Sequence, residues 1–469
     1  MLIEQTIAET LGERADTCLW LGLSAGIDST VLLYAVAHYC ASQYSVTTDK
    51  KLKVIHVHHG LSENADAWAI QAQTLCTELS QKFSLNIECV IEKVQLEDRA
   101  DGLEQAARSA RYQAFEKYCG PNDALLQGHH LDDQIETFFM RAIRGSGLTG
   151  LASIPKQRSL SRANSCQILR PLLTIEKTQL IEYAQKHRLY WVEDESNQDS
   201  RIDRNWWRNE LLPQIWQRYP KQKQSLSRTI STIQHEQNFL QQLIINNIAI
   251  HDESSFSEPK IHSALKDIPS FDLLLIQQLD QAACLSYVRA WLAQHVDILP
   301  SALQMQTLYL DMILARVDSE PQFEWLSSSL YRYHDRLYLL SAVALKCVDS
   351  TAHENMPIDW HGENIRYCSG ELLCTLLVDD FALKPGKYIL RRWKAGDVAK
   401  PSGRSTRKIK KWWQDYNVPS WIREQWPIIV NEESDEVVAI PGLFVCQGYC
   451  VEQGQAGWLV EYKLVHLEL

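Results

Sequence analysis

Two stretches in the first third of the chain space their residues for chemistry on phosphates and amines. The first is Ser24-Ala25-Gly26-Ile27-Asp28-Ser29, which lies between the apolar run Trp20-Leu21-Gly22-Leu23 and the helix-like Thr30-Val31-Leu32-Leu33-Tyr34. A strand, a tight turn and a helix N-terminus in succession offer backbone N–H groups and the positive end of the helix dipole to an anion, with serine hydroxyls as further donors. Such a turn can cradle a phosphate. No Lys follows the glycine, so this is not the Walker A arrangement, whose Lys reaches the terminal phosphates. Taken alone, the loop reads better as a helix capped by Asp28 or Ser29 with Gly26 making the turn.

The second stretch is Gly128-His129-His130-Leu131-Asp132-Asp133-Gln134-Ile135-Glu136-Thr137. On a helix, Asp132 and Glu136 are four apart and Asp133 and Glu136 three apart, and like charges so placed oppose helix formation. A cation should compensate them, either Mg²⁺, which favours carboxylate plus phosphate oxygen, or the ammonium of an amine substrate. The competing reading is an acidic first turn favoured by the helix dipole. Two smaller groups accompany these stretches. His56-Val57-His58-His59-Gly60-Leu61 ends a predicted strand, where an α/β sheet places its ligand crevice. Arg108 and Arg111 share one face of a predicted helix, where two guanidiniums could hold phosphate.

The elements that must position these groups alternate through the first 215 or so residues. Short β-branched or aliphatic runs predict strands over 19–23, 53–57, 87–91 and 124–127, and amphipathic segments predict helices over 30–41, 65–83, 103–118 and 132–143. That alternation predicts a parallel α/β sheet. Helices are expected over 225–250, 282–294 and 302–316, then two strands over 323–341 turning at His334 and Asp335. The reading is therefore an α/β catalytic domain over 1–215, a mainly helical domain over 216–348, a polar connector over 349–370 and a small α/β domain over 371–469.

The chain has 469 residues, 45% of them hydrophobic and 22% charged, which is ordinary globular composition. Its apolar runs are interrupted well before the roughly 18 residues of a membrane span. Glu4, Glu9, Glu13 and Asp16 at the start do not suit a signal peptide. The twelve cysteines follow no metal or disulfide spacing, so reduced, mostly buried thiols in a cytoplasmic protein are expected.

Net charge is -11, which argues against a polyanionic partner until its distribution is considered. Residues 231–380 carry 20 acidic and 8 basic groups, while 141–228 carry 16 basic and 8 acidic, and 391–411 carry 9 basic against Asp397 alone. Two basic surfaces are encoded. Trp206, Trp207, Trp393, Trp412 and Trp413 lie in or beside them, which suits stacking on unpaired bases beside phosphate contacts, although solvated charge faces would read the same way.

The loop at 24–29 resembles the S-G-G-x-D-S motif of the N-type ATP pyrophosphatases of the PP-loop superfamily, with Ala25 where that motif has its first Gly. An alanine there costs about 1 kcal/mol or more if the backbone is left-handed. The histidine run at 56–61, Ala107-Arg108-Ser109-Ala110-Arg111-Tyr112, the acidic stretch at 128–137 and Arg144-Gly145-Ser146-Gly147 narrow the likeness. With Arg170-Pro171-Leu172-Leu173, the run at 194–199, Arg204-Asn205 and Arg208-Asn209-Glu210, the chain resembles the tRNA(Ile)-lysidine synthetase family. The likeness extends to Lys408-Ile409-Lys410-Lys411-Trp412-Trp413 and Pro419-Ser420-Trp421 in the tail, whereas the middle matches only in length and helical character.

The resemblance implies a Rossmann-like PP-loop fold and ligation of L-lysine to the wobble cytidine of tRNA(Ile) with anticodon CAU. ATP would adenylate the 2-carbonyl oxygen of the base and the lysine ε-amine would then expel AMP. On that reading Ser24, Ala25, Gly26, Ile27, Asp28, Ser29 and His58 hold ATP, with Asp28 holding Mg²⁺ or the loop and Asp132 as metal ligand. Arg108 stabilises departing pyrophosphate, and Asp133 and Glu136 bind the lysine ammonium and take its proton. Arg111, Asp132, Arg204, Asn205, Arg208, Lys410 and Lys411 meet substrate, although Arg204, Asn205 and Arg208 read equally as members of a salt-bridged helix. Nearest in chemistry is a PP-loop tRNA thiolation enzyme, disfavoured because no C-x-x-C occurs. A glutamine-fed amide ligase lacks its glutaminase motif here, and a non-catalytic tRNA binder would not need Asp28, Ser29, Asp133 and Glu136 together.

Overall fold

A computed structural model describes residues 2–12, 18–43, 52–60, 62–95, 103–255, 265, 268–316, 319–341, 355–359, 364–367, 370–377, 382–452 and 455–464. The chain forms two compact units, 1–241 and 242–469.

In the first unit, α1 (Leu2–Leu11) precedes β1 (Leu19–Gly22), α2 (Ile27–Gln43), β2 (Leu52–His58), α3 (Ala65–Phe83), β3 (Ile87–Lys93), α4 (Leu103–Tyr118), β4 (Ala124–Leu126) and α5 (Leu131–Ile143). A short α6 (Leu148–Leu151) leads to β5 (Gln157–Ser159), β6 (Gln167–Leu169) and α7 (Lys177–Lys186). The sheet order is β3-β2-β1-β4-β6-β5, parallel except for β5, which runs antiparallel on the edge. Leu21, Val54, Leu125 and Ile168 are wholly buried, as expected of a parallel sheet covered on both faces. Val31 to Ala37 of α2 are all buried, so this helix is apolar all round and interior. The expected strands and helices are all present here, with ends displaced by a few residues.

Chain order reverses at β1: the crossovers through α2 and α3 build outward to β3, and the crossover through α4 returns to the other side of β1. The loops after β1 and β4 therefore open at the same end of adjacent strands, the switch point at which parallel sheets bind ligands. Beyond α7 come α8 (Asp203–Trp206), a π turn at Trp207–Leu211, α9 (Leu212–Arg218) and α10 (Lys223–Ser255), within which the boundary between units falls.

The second unit begins with β7 (Ser270–Asp272), α11 (Gln281–Leu292) and α12 (Ala302–Leu308), followed by β8 (Gln322–Trp325), β9 (Ser328–Tyr333) and β10 (Arg336–Ser341). These strands form an antiparallel sheet in the order β7-β10-β9-β8. Three strands thus occupy the region where two were expected. His334 takes a positive φ of 50° at the expected turn, but a second turn at Leu326, φ 49°, has no Gly, Asn or Asp to signal it.

The tail comprises β11 (Met356–Asp359), β12 (Ile365–Tyr367), β13 (Gly370–Leu377), β14 (Lys387–Arg392), β15 (Val398–Ala399), β16 (Arg407–Lys408), α13 (Ile409–Asp415), α14 (Ser420–Arg423), β17 (Pro427–Asn431), β18 (Val437–Ile440), β19 (Phe444–Val445) and β20 (Gly457–Leu464). Two antiparallel sheets, β11-β14-β17-β18-β19 and β12-β13-β20, share a core with α13. Strands β11 and β12 lie within the span proposed as a connector. Trp412 and Trp413 are core residues, Trp413 packed on Trp426 and Trp412 on Phe444, and cannot stack on bases as the sequence suggested. Their one-turn separation from Ile409 places all three on the buried face of α13, leaving Lys410 and Lys411 exposed. Among the described residues no cysteine forms a disulfide and no helix is long and apolar enough to cross a membrane.

Candidate active site

The loop after β1 closes on itself. Ser29 Oγ donates to the Gly26 carbonyl at 3.0 Å, accepts from the Ser24 amide at 3.2 Å and lies 3.1 Å from Ser24 Oγ. Ala25 is left-handed, φ 63°, a conformation costing an L-residue about 1–2 kcal/mol. It is only 1% exposed, and its carbonyl accepts from the Val192 amide at 2.9 Å, so surrounding structure holds the strained residue in place. The anticipated penalty at Ala25 is therefore real. The loop after β4 crosses this turn closely: a Cβ on Gly128 would meet the Asp28 carbonyl carbon and oxygen at 3.1 Å and the Ser29 nitrogen at 3.2 Å. A residue without a side chain is needed there for the two loops to meet.

Asp28 and the start of α5 are joined by charge. Lys177, the first residue of α7, places Nζ 2.6 Å from Asp28 Oδ1 and donates its amide to Asp132 Oδ2 at 2.9 Å. Lys223 Nζ takes the other Asp132 oxygen at 2.7 Å. Burial pushes the Asp132 carboxyl up, but Lys223 and the Lys177 amide outweigh it and hold the group below the usual carboxylate range. His130, buried, stands among three carboxylates: 3.6 Å from Asp28, 3.8 Å from Asp132 and 3.5 Å from Asp133.

Asp133 and Glu136 face inward and meet two arginines rather than open space. Arg204 donates to Glu136 Oε2 at 2.9 Å and Asp133 Oδ1 at 2.7 Å; Arg208 donates to Glu136 Oε1 at 2.7 Å, Glu136 Oε2 at 2.9 Å and Asp133 Oδ1 at 3.1 Å. The His130 amide takes Asp133 Oδ2 at 3.0 Å, so all four carboxylate oxygens are engaged. Burial pushes Asp133 up, but His130, Arg204, His129 and Arg208 hold it far below the usual carboxylate range, and the same carboxylates raise both guanidiniums despite their burial. The cation demanded by the acidic spacing is thus supplied by the chain itself.

The remaining candidates are more dispersed. His58 contacts Asp66 at 3.1 Å, with Lys93 on the same carboxylate. His56 Nδ1 lies 2.9 Å from the Leu23 carbonyl and so donates to it, tying β2 to the phosphate loop. Burial and Arg111 push His59 down to about 4, keeping it neutral. Arg108 and Arg111 are exposed on α4. Asn205 is buried and donates to the Asp199 carbonyl at 3.1 Å, a contact that shapes the turn before α8. Lys410 and Lys411 belong to the second unit. Sequence reasoning missed Lys177, Lys223 and His130; Lys177 and Lys223 reach partners distant in sequence, and His130, though beside Asp132 and Asp133, meets Asp28 only through the fold.

Residues 1–215 match a PP-loop domain, 271–338 a TilS substrate binding domain and 389–462 a TilS substrate C-terminal domain. A protein of Haemophilus influenzae (strain PittGG) named tRNA(Ile)-lysidine synthase is 36% identical over 90% of this chain and 94% of its own. Proteins of that name from Edwardsiella ictaluri and Serratia proteamaculans are 34% and 32% identical over 98% and 97% of this chain, in each case 98% of their own length. Among solved structures, the U34-tRNA thiolase NcsA from Methanococcus maripaludis is 20% identical, covering 50% of this chain and 78% of that one, with a TM-score of 0.39.

Proposed function

The chain belongs to the tRNA(Ile)-lysidine synthase family, and from that premise we propose how its residues use ATP to build lysidine on tRNA. The substrate is tRNA(Ile) with anticodon CAU, and the reaction has two steps. The cytidine 2-oxygen attacks the α-phosphorus of ATP, forming a P–O bond while the bond to pyrophosphate breaks. The ε-nitrogen of L-lysine then attacks carbon 2, the C–O bond breaks, and AMP leaves with the oxygen.

The first step loads negative charge onto the departing pyrophosphate. The loop of Ser24 to Ser29, the N-terminus of α2 and Lys177 stand where they can offset it, and Arg108 is the further candidate. The donor set also fits Mg²⁺: Asp28 spends Oδ1 on Lys177, and among the described residues no donor reaches Oδ2, leaving one hard oxygen for a cation shared with phosphate. Asp132, the other candidate ligand, has both oxygens engaged and would take the ion only by releasing Lys223. Bound Mg²⁺ would supply charge neutralisation for the triphosphate.

The second step needs a neutral amine from a group whose free pKa is about 10.4. The cluster of Asp133, Glu136, Arg204 and Arg208 is the observation that supports this part of the reading. Two carboxylates attract the ammonium, while two fixed guanidiniums beside them disfavour a further positive charge and promote proton loss. Asp133, held far below the usual carboxylate range, can bind the ammonium but is a weak base, so Glu136 is the candidate to receive the proton. Chemistry at a base requires it to leave its stack, and Arg204 and Arg208, each about one-third exposed, are the candidates to meet it, with buried Asn205 shaping the turn before α8.

The steps are separable by omission. With tRNA and ATP but no lysine, pyrophosphate should be released once per tRNA and AMP should stay attached to the RNA; adding lysine should free the AMP. Release of AMP from RNA without lysine would contradict the order proposed.

A further inference from the structure

Three arginines gather around one phenol beside the active site without a carboxylate among the described residues to balance them. Arg108 and Tyr112 are one turn apart on α4, Arg158 is on β5, and Arg170 follows β6. The guanidinium carbons of Arg108 and Arg158 lie 5.1 and 5.0 Å from the Tyr112 ring centroid. Arg158 is pinned by donation to the Ser159 and Leu160 carbonyls at 3.1 and 3.3 Å. Arg170 is 2% exposed, donates to the Pro155 carbonyl at 2.8 Å, and has no partner for Nε among the described residues.

The other buried and half-buried arginines show why this grouping is unusual. Arg204 and Arg208 face Asp133 and Glu136, and Arg391 faces Asp397 and Asp435. Arg332 has no carboxylate within ion-pair distance, but Asp335 lies near enough to favour its charge, and Nε and Nη1 donate to four backbone carbonyls. Three guanidiniums held together by carbonyls and a ring repel one another, and in a partly buried site that repulsion is not screened away. An anion with several oxygens relieves it and matches their forked donors.

We propose that Arg108, Arg158 and Arg170, organised around Tyr112, form a binding site for a phosphate group of the substrates, distinct from the loop after β1. The inference rests on the reading above only for the identity of the anion, which belongs either to the RNA backbone or to the polyphosphate of ATP. The electrostatics are consistent with it. Burial pushes the Tyr112 phenol up, but the three arginines outweigh burial and bring it down to about 8, leaving it mostly neutral at pH 7. Burial and Arg170, Arg204 and Arg108 push His129 down to about 3, so the same positive field reaches the loop that carries Gly128 and His130.

Tyr112 supplies a readout independent of lysidine formation. The tyrosinate difference absorbance of the wild-type protein minus that of Tyr112→Phe follows this phenol alone. Added pyrophosphate or a short RNA oligonucleotide that occupies the site should offset the arginines and move the midpoint from near 8 toward about 10. A shift with pyrophosphate alone assigns the anion to ATP, and a shift with RNA alone assigns it to the backbone. Arg158→Met should abolish the shift. If RNA is the source, it should also weaken tRNA binding about tenfold and reduce the salt slope by about one. If neither anion moves the midpoint at saturating concentration, or if Arg158→Met leaves both the shift and tRNA affinity unchanged, the site does not exist.

Discussion

The ammonium of Lys177 rests 2.6 Å from Asp28 Oδ1 although 149 residues separate them. Both side chains are about one-third exposed, so the pair contributes under about 1 kcal/mol to stability. Its importance lies in fixing charge at the phosphate loop. Lys177→Met should leave the melting temperature nearly unchanged while slowing pyrophosphate release about 100-fold, with Lys177→Arg recovering part of the rate. Rapid-quench measurement of pyrophosphate with tRNA and ATP checks this; an unaltered rate in Lys177→Met would remove Lys177 from the first step.

The cluster at α5 behaves oppositely, since its carboxylates are buried and its members depend on one another. Arg204→Met leaves inward-facing carboxylates short of a cation and should cost about 3–5 kcal/mol. Adding Glu136→Gln should restore part of that loss, giving a coupling of about 1–3 kcal/mol in a denaturation cycle. The pH dependence has a definite sign. Asp133 is held below its unfolded value near 3.9, so its stabilisation is present above that pH and lost as pH falls through the lower folded value. In Arg204→Met the folded value rises, and acid unfolding should begin at higher pH than in wild type.

Gly128 allows two loops to touch. In Gly128→Ala the methyl group would press on the Asp28 carbonyl and Ser29 amide at 3.1–3.2 Å, and backbone on both sides has little room to yield. A loss of about 1–3 kcal/mol is expected, with a raised KM for ATP because the loop itself is displaced. Ala25→Gly should do far less: relief of about 1–2 kcal/mol of left-handed strain is offset by roughly 0.8 kcal/mol of lost methyl burial. Calorimetry of the two variants separates these effects.

Burial divides the tryptophans of the basic stretches. Trp412 is 1% exposed and Trp412→Ala should cost about 3–5 kcal/mol. Trp206 is 43% exposed, one turn beyond Ile202 on α8, and Trp206→Ala should unfold at the wild-type temperature within error while weakening tRNA binding. Filter binding and thermal melts on both variants test the distinction; a large stability loss in Trp206→Ala would contradict it.

Much of this architecture was legible in local pattern. The strand–turn–helix at 19–34 and the acidic spacing at 132–136 identify themselves because period, turn chemistry and charge act over a few residues. The partners of those residues were not legible. Lys177 and Lys223 reach Asp28 and Asp132 through tertiary folding alone, and the cation inferred for Asp133 and Glu136 proved to be Arg204 and Arg208, which the sequence offered as substrate contacts or as members of a salt-bridged helix without naming their partners. The run Lys410-Lys411-Trp412-Trp413 misled for a related reason. A helix separates its faces by angle, so adjacent basic and aromatic residues in sequence part into surface and core.

We propose that the loop bearing Asp28 is where ATP is spent as lysine is joined to tRNA. The most direct test is incorporation of labelled lysine into unfractionated bacterial tRNA by the purified protein with ATP and Mg²⁺, comparing wild type with Asp28→Ala. ATP-dependent label confined to tRNA(Ile) with anticodon CAU is expected, with at least 100-fold less in the variant. Pyrophosphate release without label in any tRNA would contradict this, leaving the loop's chemistry but refuting lysine as the nucleophile.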